Sequence, residues 1–309
     1  MKAAERPRTL KIPVRPRRVL LLVNPASRQG GAAFAIPPLL EAEGVRVRVG
    51  KANSREDVGR LIEAAAEEVD AVVVGGGDGS LNAALPALLR TGLPLGVLPL
   101  GTANDFARTV GIPADPRAAV AVIAAGATRR VDLGSVNGHP FLNVASLGLS
   151  SDLAERLTGA GKRRWGRLSY PVAALSVLAK ARPFRAMIVA KDRAVRVKTY
   201  QIAVGNGRYY GGGLPVRHDA CVADGRLDLY SLEFKAVGRL LLSALAFRRG
   251  RHGAWREVRD VQCTRFQVRT RRPRPVNLDG ELLTLTPARF NLLPLALAVY
   301  APAAPARQT

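Results

Sequence analysis

The sequence predicts an α/β plus mainly β protein: an N-terminal parallel α/β domain followed by a C-terminal antiparallel β-sandwich domain. Two observations carry this. Over roughly the first 130 residues, short continuous apolar runs alternate with helix-like stretches, the pattern of βαβ units. Beyond that point strand-like segments follow one another with few helical stretches between them. A length of 309 residues, 48% hydrophobic and 23% charged, suits about two globular domains and excludes a disordered or fibrous chain.

Residues 18–24 (RVLLLVN) form an apolar run that stops at Pro25 and read as a buried strand. The loop 25–31 (PASRQGG) leads into a helical stretch ending near Glu43. Residues 45–49 (VRVRV) alternate as a strand does. Ser54 can cap a helix from Arg55 to about Glu68, with Glu56 and Asp57 in its first turn. Residues 70–74 (DAVVV) make another buried strand, residues 81–89 an apolar helix, and residues 95–99 (LGVLP) a fourth strand. In the second half, strands are expected at 130–136, 140–145, 185–191, 194–205, 225–234, 263–270 and 276–278, and helices near 170–181 and 236–247. The expected division is 18–130 for the first domain and 131–301 for the second, with 1–17 and 302–309 as disordered tails.

Composition limits the chemistry. Two cysteines, Cys221 and Cys263, exclude a disulfide scaffold, and three histidines leave little for a zinc enzyme. The net charge of +23 points to anionic partners: nucleic acid, an anionic membrane or phosphorylated substrates. Only eight of the 47 basic residues are Lys, and such an Arg excess is also what coding bias produces. The basic N-terminus has no apolar core, so it is not a secretory signal. The apolar stretches 171–179 and 292–306 are too short to span a bilayer, and the second is broken by Pro294, Pro302 and Pro305. The expectation is a cytoplasmic chain without a transmembrane helix.

The turn Gly75-Gly76-Gly77-Asp78-Gly79-Ser80 lies directly between a strand and a helix. Glycine lets the backbone approach a ligand, and N–H groups at a helix start favour phosphate oxygens. It is neither a P-loop nor a GxGxxG turn. Asp78 beside phosphates needs a cation between them, which points to Mg2+-nucleotide. Gly101-Thr102-Ala103-Asn104-Asp105-Phe106 ends the next strand, and Pro25-Ala26-Ser27 ends the first. Three loops at one end of a parallel sheet share one crevice.

Asn24-Pro25, residues 75–80 and residues 101–108 together resemble the nucleotide-binding half of bacterial lipid kinases of the diacylglycerol-kinase catalytic type. The resemblance continues through 131–134 (VDLG), 141–145 (FLNVA), 166–170 (GRLSY), 205–213 (GNGRYYGGG), 223–229 (ADGRLDL) and Asp279-Gly280-Glu281, in order, over about residues 18–301. It implies phosphorylation of a lipid hydroxyl with ATP and Mg2+, in a crevice between the two domains. By motif, Asp78, Asp105, Asp132 and Asp279 would surround the magnesium. Asn24, Gly75, Gly76, Gly77, Asp78, Gly79, Ser80, Leu81, Gly101, Thr102 and Asn104 would contact ATP. A further metal site would use Asp224 with the backbone oxygens of Cys221 and Arg226. Ser80 stands where Thr is usual, Ala83 where Glu is usual, His218 where Pro is usual, and Gly50 where a Thr can contact nucleotide.

Asp279-Gly280-Glu281 is the best candidate for the base that accepts the lipid hydroxyl's proton, because glycine permits a sharp turn into a cleft. Strand alternation would send Asp279 and Glu281 to one side, and the choice between them stays open. Residues 161–170 and 247–259 combine basic residues with Trp165 and Trp255, a composition that suits an anionic membrane surface. The expected partners are therefore a lipid substrate and an anionic phospholipid membrane, not nucleic acid. The rivals are a soluble-substrate kinase of the NAD-kinase type and a catalytically silent lipid- or nucleotide-binding protein.

Overall fold

A computed structural model describes residues 15–23, 35–158, 181–191, 193–207, 209–210, 214–215, 222–234 and 258–302. Contacts divide the chain into two units, Met1–Asp132 with Pro294–Thr309, and Leu133–Leu293.

The first unit contains β1 (Arg18–Val23), α1 (Ile36–Ala42), β2 (Arg46–Gly50), α2 (Arg55–Ala65), β3 (Ala71–Gly76), α3 (Asp78–Thr91), β4 (Leu95–Pro99), α4 (Asp105–Thr109) and α5 (Pro116–Ala125). Its strands are parallel in the order β2-β1-β3-β4, with Leu21 opposite both Val49 and Val73, and Val73 opposite Gly96. The central strands are buried throughout, which is why they read as unbroken Val/Leu runs. Ser54 caps α2 as expected: its side chain accepts the Asp57 N–H at 3.1 Å, and Asp57 accepts the Ser54 N–H in return. That backbone bonding, from Asn53 foremost, holds the half-buried Asp57 carboxyl below its usual range. The parallel sheet is completed beside β4 by the last strand of the chain, with Val299 opposite Leu95.

β5 (Thr128–Val136) carries the chain into the second unit. There follow β6 (His139–Phe141), β7 (Val144–Gly148), α6 (Leu149–Thr158), β8 (Phe184–Ala190), β9 (Arg193–Thr199), β10 (Gln201–Gly205), β11 (Tyr209–Tyr210), β12 (Leu214–Pro215), β13 (Leu227–Leu232), β14 (Val258–Cys263), β15 (Arg265–Thr270), β16 (Pro275–Leu278), β17 (Glu281–Leu285) and β18 (Ala288–Tyr300). One antiparallel sheet runs β14-β13-β10-β7-β16-β17, and the first part of β18 lies in another with β15, β8 and β9. Leu147, Ile202, Val204 and Leu229 from the first pack in one core with Ile188, Val197, Val268 and Phe290 from the second. This is the expected sandwich of two inner faces.

Several elements differ from expectation. The single strand expected at 194–205 is two, β9 and β10, which belong to different sheets. The fully buried Thr199 makes the corner, bonding to the carbonyls of Gln201 (2.8 Å) and Leu232 (2.9 Å). α6, β14, β17 and β18 lie outside the expected segments, and β18 continues through Pro294. Pro294 is exposed, and Leu295 beside it has φ +48°. An exposed irregularity needs no ladder hydrogen bond from a proline. The helix expected near 236–247 lies outside the described residues, as does that near 170–181 apart from its last position.

Candidate functional site

In the first unit the glycine-rich segment is part strand and part helix. β3 extends through Gly75 and Gly76, Gly77 is the extended N-cap, and α3 begins at Asp78. Asp78, Gly79, Ser80 and Leu81 are therefore the first helical turn, not a free loop. The Ser80 and Leu81 N–H groups bond the Gly77 carbonyl at 2.9 and 3.2 Å. Gly77, as the N-cap, has no side chain with which to cap the first turn of α3. Gly77 and Gly101 meet backbone to backbone. A Cβ on Gly101 would stand 2.4 Å from the Gly77 Cα, so the two strand-end segments close only because position 101 carries no side chain.

Asp78 ties these segments together. Its carboxylate accepts the N–H of Asp105 at 3.1 Å and of Phe106 at 2.9 Å, capping α4. Asp105 is buried and lies 3.6 Å from the Arg108 guanidinium. Asn104, in the left-handed region at φ 52°, accepts the Gly101 N–H and donates to the Pro99 and Gly101 carbonyls. Thr102 is exposed at the tip of this turn. Asn24 lies outside the described residues. Arg55, which the sequence reading did not single out, donates to the buried Asn82 side chain at 2.6 Å and joins the first turn of α2 to α3. A basic residue directly after a helix cap runs against the helix dipole, and that was its signal. Asp132, almost wholly buried, accepts the Leu295 N–H at 2.7 Å and so fixes the irregularity in β18.

In the second unit three sequence motifs meet. Asp279 and Gly280 form the two-residue turn between β16 and β17, with φ +48° and +104° and Leu278 opposite Glu281. Asp279 thus sits on a turn and Glu281 opens a strand, so strand alternation does not relate them. The Asp279 carboxylate accepts the N–H groups of Leu142 (2.7 Å), Asn143 (2.9 Å) and Val144 (3.0 Å). The buried Asn206 amide donates to the Leu142 carbonyl at 2.9 Å, and the Asn206 N–H bonds the Asn143 carbonyl at 2.8 Å. The segment 142–144 is therefore held by Asp279 and by Asn206, from motifs far apart in sequence. Glu281 is half-buried beside this turn.

Asp224 is exposed, and its carboxylate accepts the Arg226 N–H at 3.1 Å; Cys221 lies outside the described residues. Among the described residues no group of three or more His, Cys, Asp or Glu side chains could hold a metal ion. No helix of the described residues is long and apolar enough to cross a membrane.

Comparison with known proteins bears on both units. Residues 18–136 match the diacylglycerol kinase catalytic domain, and residues 143–301 match the YegS C-terminal NAD kinase beta sandwich-like domain. A diacylglycerol kinase of Mycobacterium tuberculosis is 34% identical over 300 residues, covering 92% of this chain and 95% of that protein. A diacylglycerol kinase of Bacillus subtilis is 31% identical over 232 residues, covering 74% and 76%. A crystal structure of a Bacillus anthracis diacylglycerol kinase shares the fold at a TM-score of 0.71 and 23% identity, covering 93% and 97% of the two chains. With both domains matched in order along almost its whole length, the chain belongs to the diacylglycerol kinase and YegS-like family of lipid kinases.

Proposed function

We propose that the protein transfers the γ-phosphate of ATP to a hydroxyl group of diacylglycerol or a closely related lipid, with Mg2+. The observation that carries the nucleotide half is the Gly77–Gly101 backbone contact beside the start of α3. It supports a cradle in which polyphosphate oxygens approach the start of α3 past two positions that carry no side chain, Gly77 and Gly101. Gly75, Gly76, Gly79, Ser80, Leu81, Thr102 and Asn104 shape or edge that cradle. Mg2+ takes one or two carboxylates along with phosphate oxygens and water. Asp78, whose carboxylate caps α4, and Asp105, the first residue of that helix, would supply those carboxylates. When bound, the ion would offset the phosphate charge. The backbone bonds of Asp132 and Asp279 support positioning roles for those two.

Glu281 is then the proton acceptor, and Asp279 positions the turn that carries it. In the step, the lipid hydroxyl oxygen bonds to the γ-phosphorus as its proton passes to the Glu281 carboxylate. The bond from the γ-phosphorus to the bridging oxygen breaks, and ADP leaves with that oxygen. The acceptor lives in a bilayer, so this reading makes the protein a peripheral one working on the cytoplasmic face, where ATP is available. The Trp-containing stretches 161–170 and 247–259 expected to meet that surface lie outside the described residues.

Incubation with labelled ATP and a panel of lipid alcohols tests the proposal, with NAD as a soluble acceptor. Labelled lipid, lost in Asp78→Ala, is expected. Labelled NADP with no labelled lipid would overturn it.

A further inference from the structure

The outer face of the second unit's β18-β15-β8-β9 sheet carries a basic array. Phe184, Ala186, Ile188, Val197, Phe266, Val268 and Phe290 point into the core. The alternate positions place Arg185, Arg196, Lys198, Arg265, Arg269 and Arg289 on the other face, all exposed. The register sets them side by side: Arg185 opposite Lys198, Met187 between Arg196 and Arg269, and Gln267 beside Arg289. These four strands contain no Asp or Glu. Among the described residues none of the six cations is ion-paired, and Arg269 bonds only the neutral Gln267 side chain. Elsewhere Arg48 pairs with Glu68, Arg60 with Asp57, Arg90 with Glu63 and Arg259 with Glu233.

Coding bias would scatter arginine without removing acids from one face. Protection of a sheet edge accounts for cations on β9 only. Arg185, Arg265 and Arg269 lie on strands flanked on both sides. The residues together form a cationic surface, roughly 15 Å across four strands.

We infer that this sheet face docks on the anionic phospholipid headgroups of a bilayer. The choice of occupant rests on the lipid-kinase reading; the charge array does not. A second copy of the chain would present like charge. The phenylalanines of these strands point into the core, so the face offers no aromatic platform for unstacked bases. Its cations are spread over four adjacent strands, and among the described residues none of the six stands on a helix. An anionic bilayer is flat and diffuse in charge, and each Lys or Arg near it adds about fivefold to partitioning.

Sedimentation with phosphatidylcholine vesicles, with and without phosphatidylglycerol, tests this without nucleotide or turnover. A failed kinase assay therefore leaves the test readable. Binding is expected only with phosphatidylglycerol, weakening as salt rises. The combined Arg185→Gln, Arg196→Gln, Arg269→Gln and Arg289→Gln variant should lose at least about tenfold in partitioning. Lys at the same four positions should retain binding. In the unaltered protein, anionic vesicles should shield Lys198 from acetylation and leave the exposed Lys51 reactive. This last reading is independent of whether any variant folds. Four results would overturn the inference: no binding to the anionic vesicles, equal binding by the Gln variant, equal loss by the Lys variant, or unshielded Lys198. Displacement from the vesicles by duplex RNA that itself shields Lys198 would also overturn it.

Discussion

Asp78 in the first unit and Asp279 in the second both use a carboxylate to gather backbone N–H groups, but over very different ranges. Asp78 reaches residues 27 and 28 positions along the chain, across one βα unit. Asp279 reaches residues 135 to 137 positions away. The first bond pair aligns two neighbouring strand ends of an already packed parallel sheet. The second set joins a hairpin turn to a segment laid down half a chain earlier. A residue of the first kind can be altered with local consequences, whereas one of the second kind also maintains the fold around it.

Glu281 and Asp279 give the sharpest test of that contrast. Glu281→Gln should lower kcat by about 10²–10⁴-fold with little change in Tm, as loss of a general base does. Asp279→Asn should lower both, costing about 2–4 kcal/mol because bonds from N–H groups to a charged acceptor weaken. Circular dichroism melting beside turnover on the true lipid separates the two; an unchanged Tm in Asp279→Asn would remove the positioning role. In the first unit, Gly101→Ala should cost about 1–3 kcal/mol by overpacking and abolish ATP binding. Gly77→Ala, whose Cβ would meet the Gly101 Cα at 3.3 Å, should be milder in both, measured by melting and nucleotide titration.

The smallest expected effect is at Tyr300. Its ring is fully buried and its hydroxyl has no hydrogen-bond partner among the described residues. Burial, aided by the charge of Asp70, pushes the phenol up to about 12. The neutral form is thus favoured in the folded protein. The associated stability is complete below pH of about 10, where an unfolded tyrosine begins to ionise, and is lost as pH rises through the folded value. Tyr300→Phe should gain about 1 kcal/mol at neutral pH. It should also flatten the alkaline fall in Tm.

Much of the first unit was legible because its signals are local. Leu20–Leu22 and Val72–Val74 are buried on both faces, and Ser54 with Asp57 closes its own cap. The helix start at Asp78 was misplaced because Gly79 is a poor helix former and only the tertiary bonds of Asp78 reveal the turn as helical. In the second unit the alternation of 194–205 was visible, but the change of sheet at Tyr200 depends on Thr199 finding Leu232. The motifs around Asn143, Asn206 and Asp279 could be recognised one by one. Their meeting at the carbonyls and N–H groups of 142–144 leaves no trace in composition or period. The continuation of β18 past Pro294 likewise requires Asp132, 163 residues away.

The first unit borrows its final strand from the end of the chain, alongside β4. During translation β4 is therefore a bare edge until the whole second unit has left the ribosome. Early release of the nascent chain would leave a parallel sheet one strand short, open to pairing with its neighbours. Production of this enzyme should accordingly depend on completing β18 as far as Tyr300 far more than its distance from the phosphate cradle in sequence suggests.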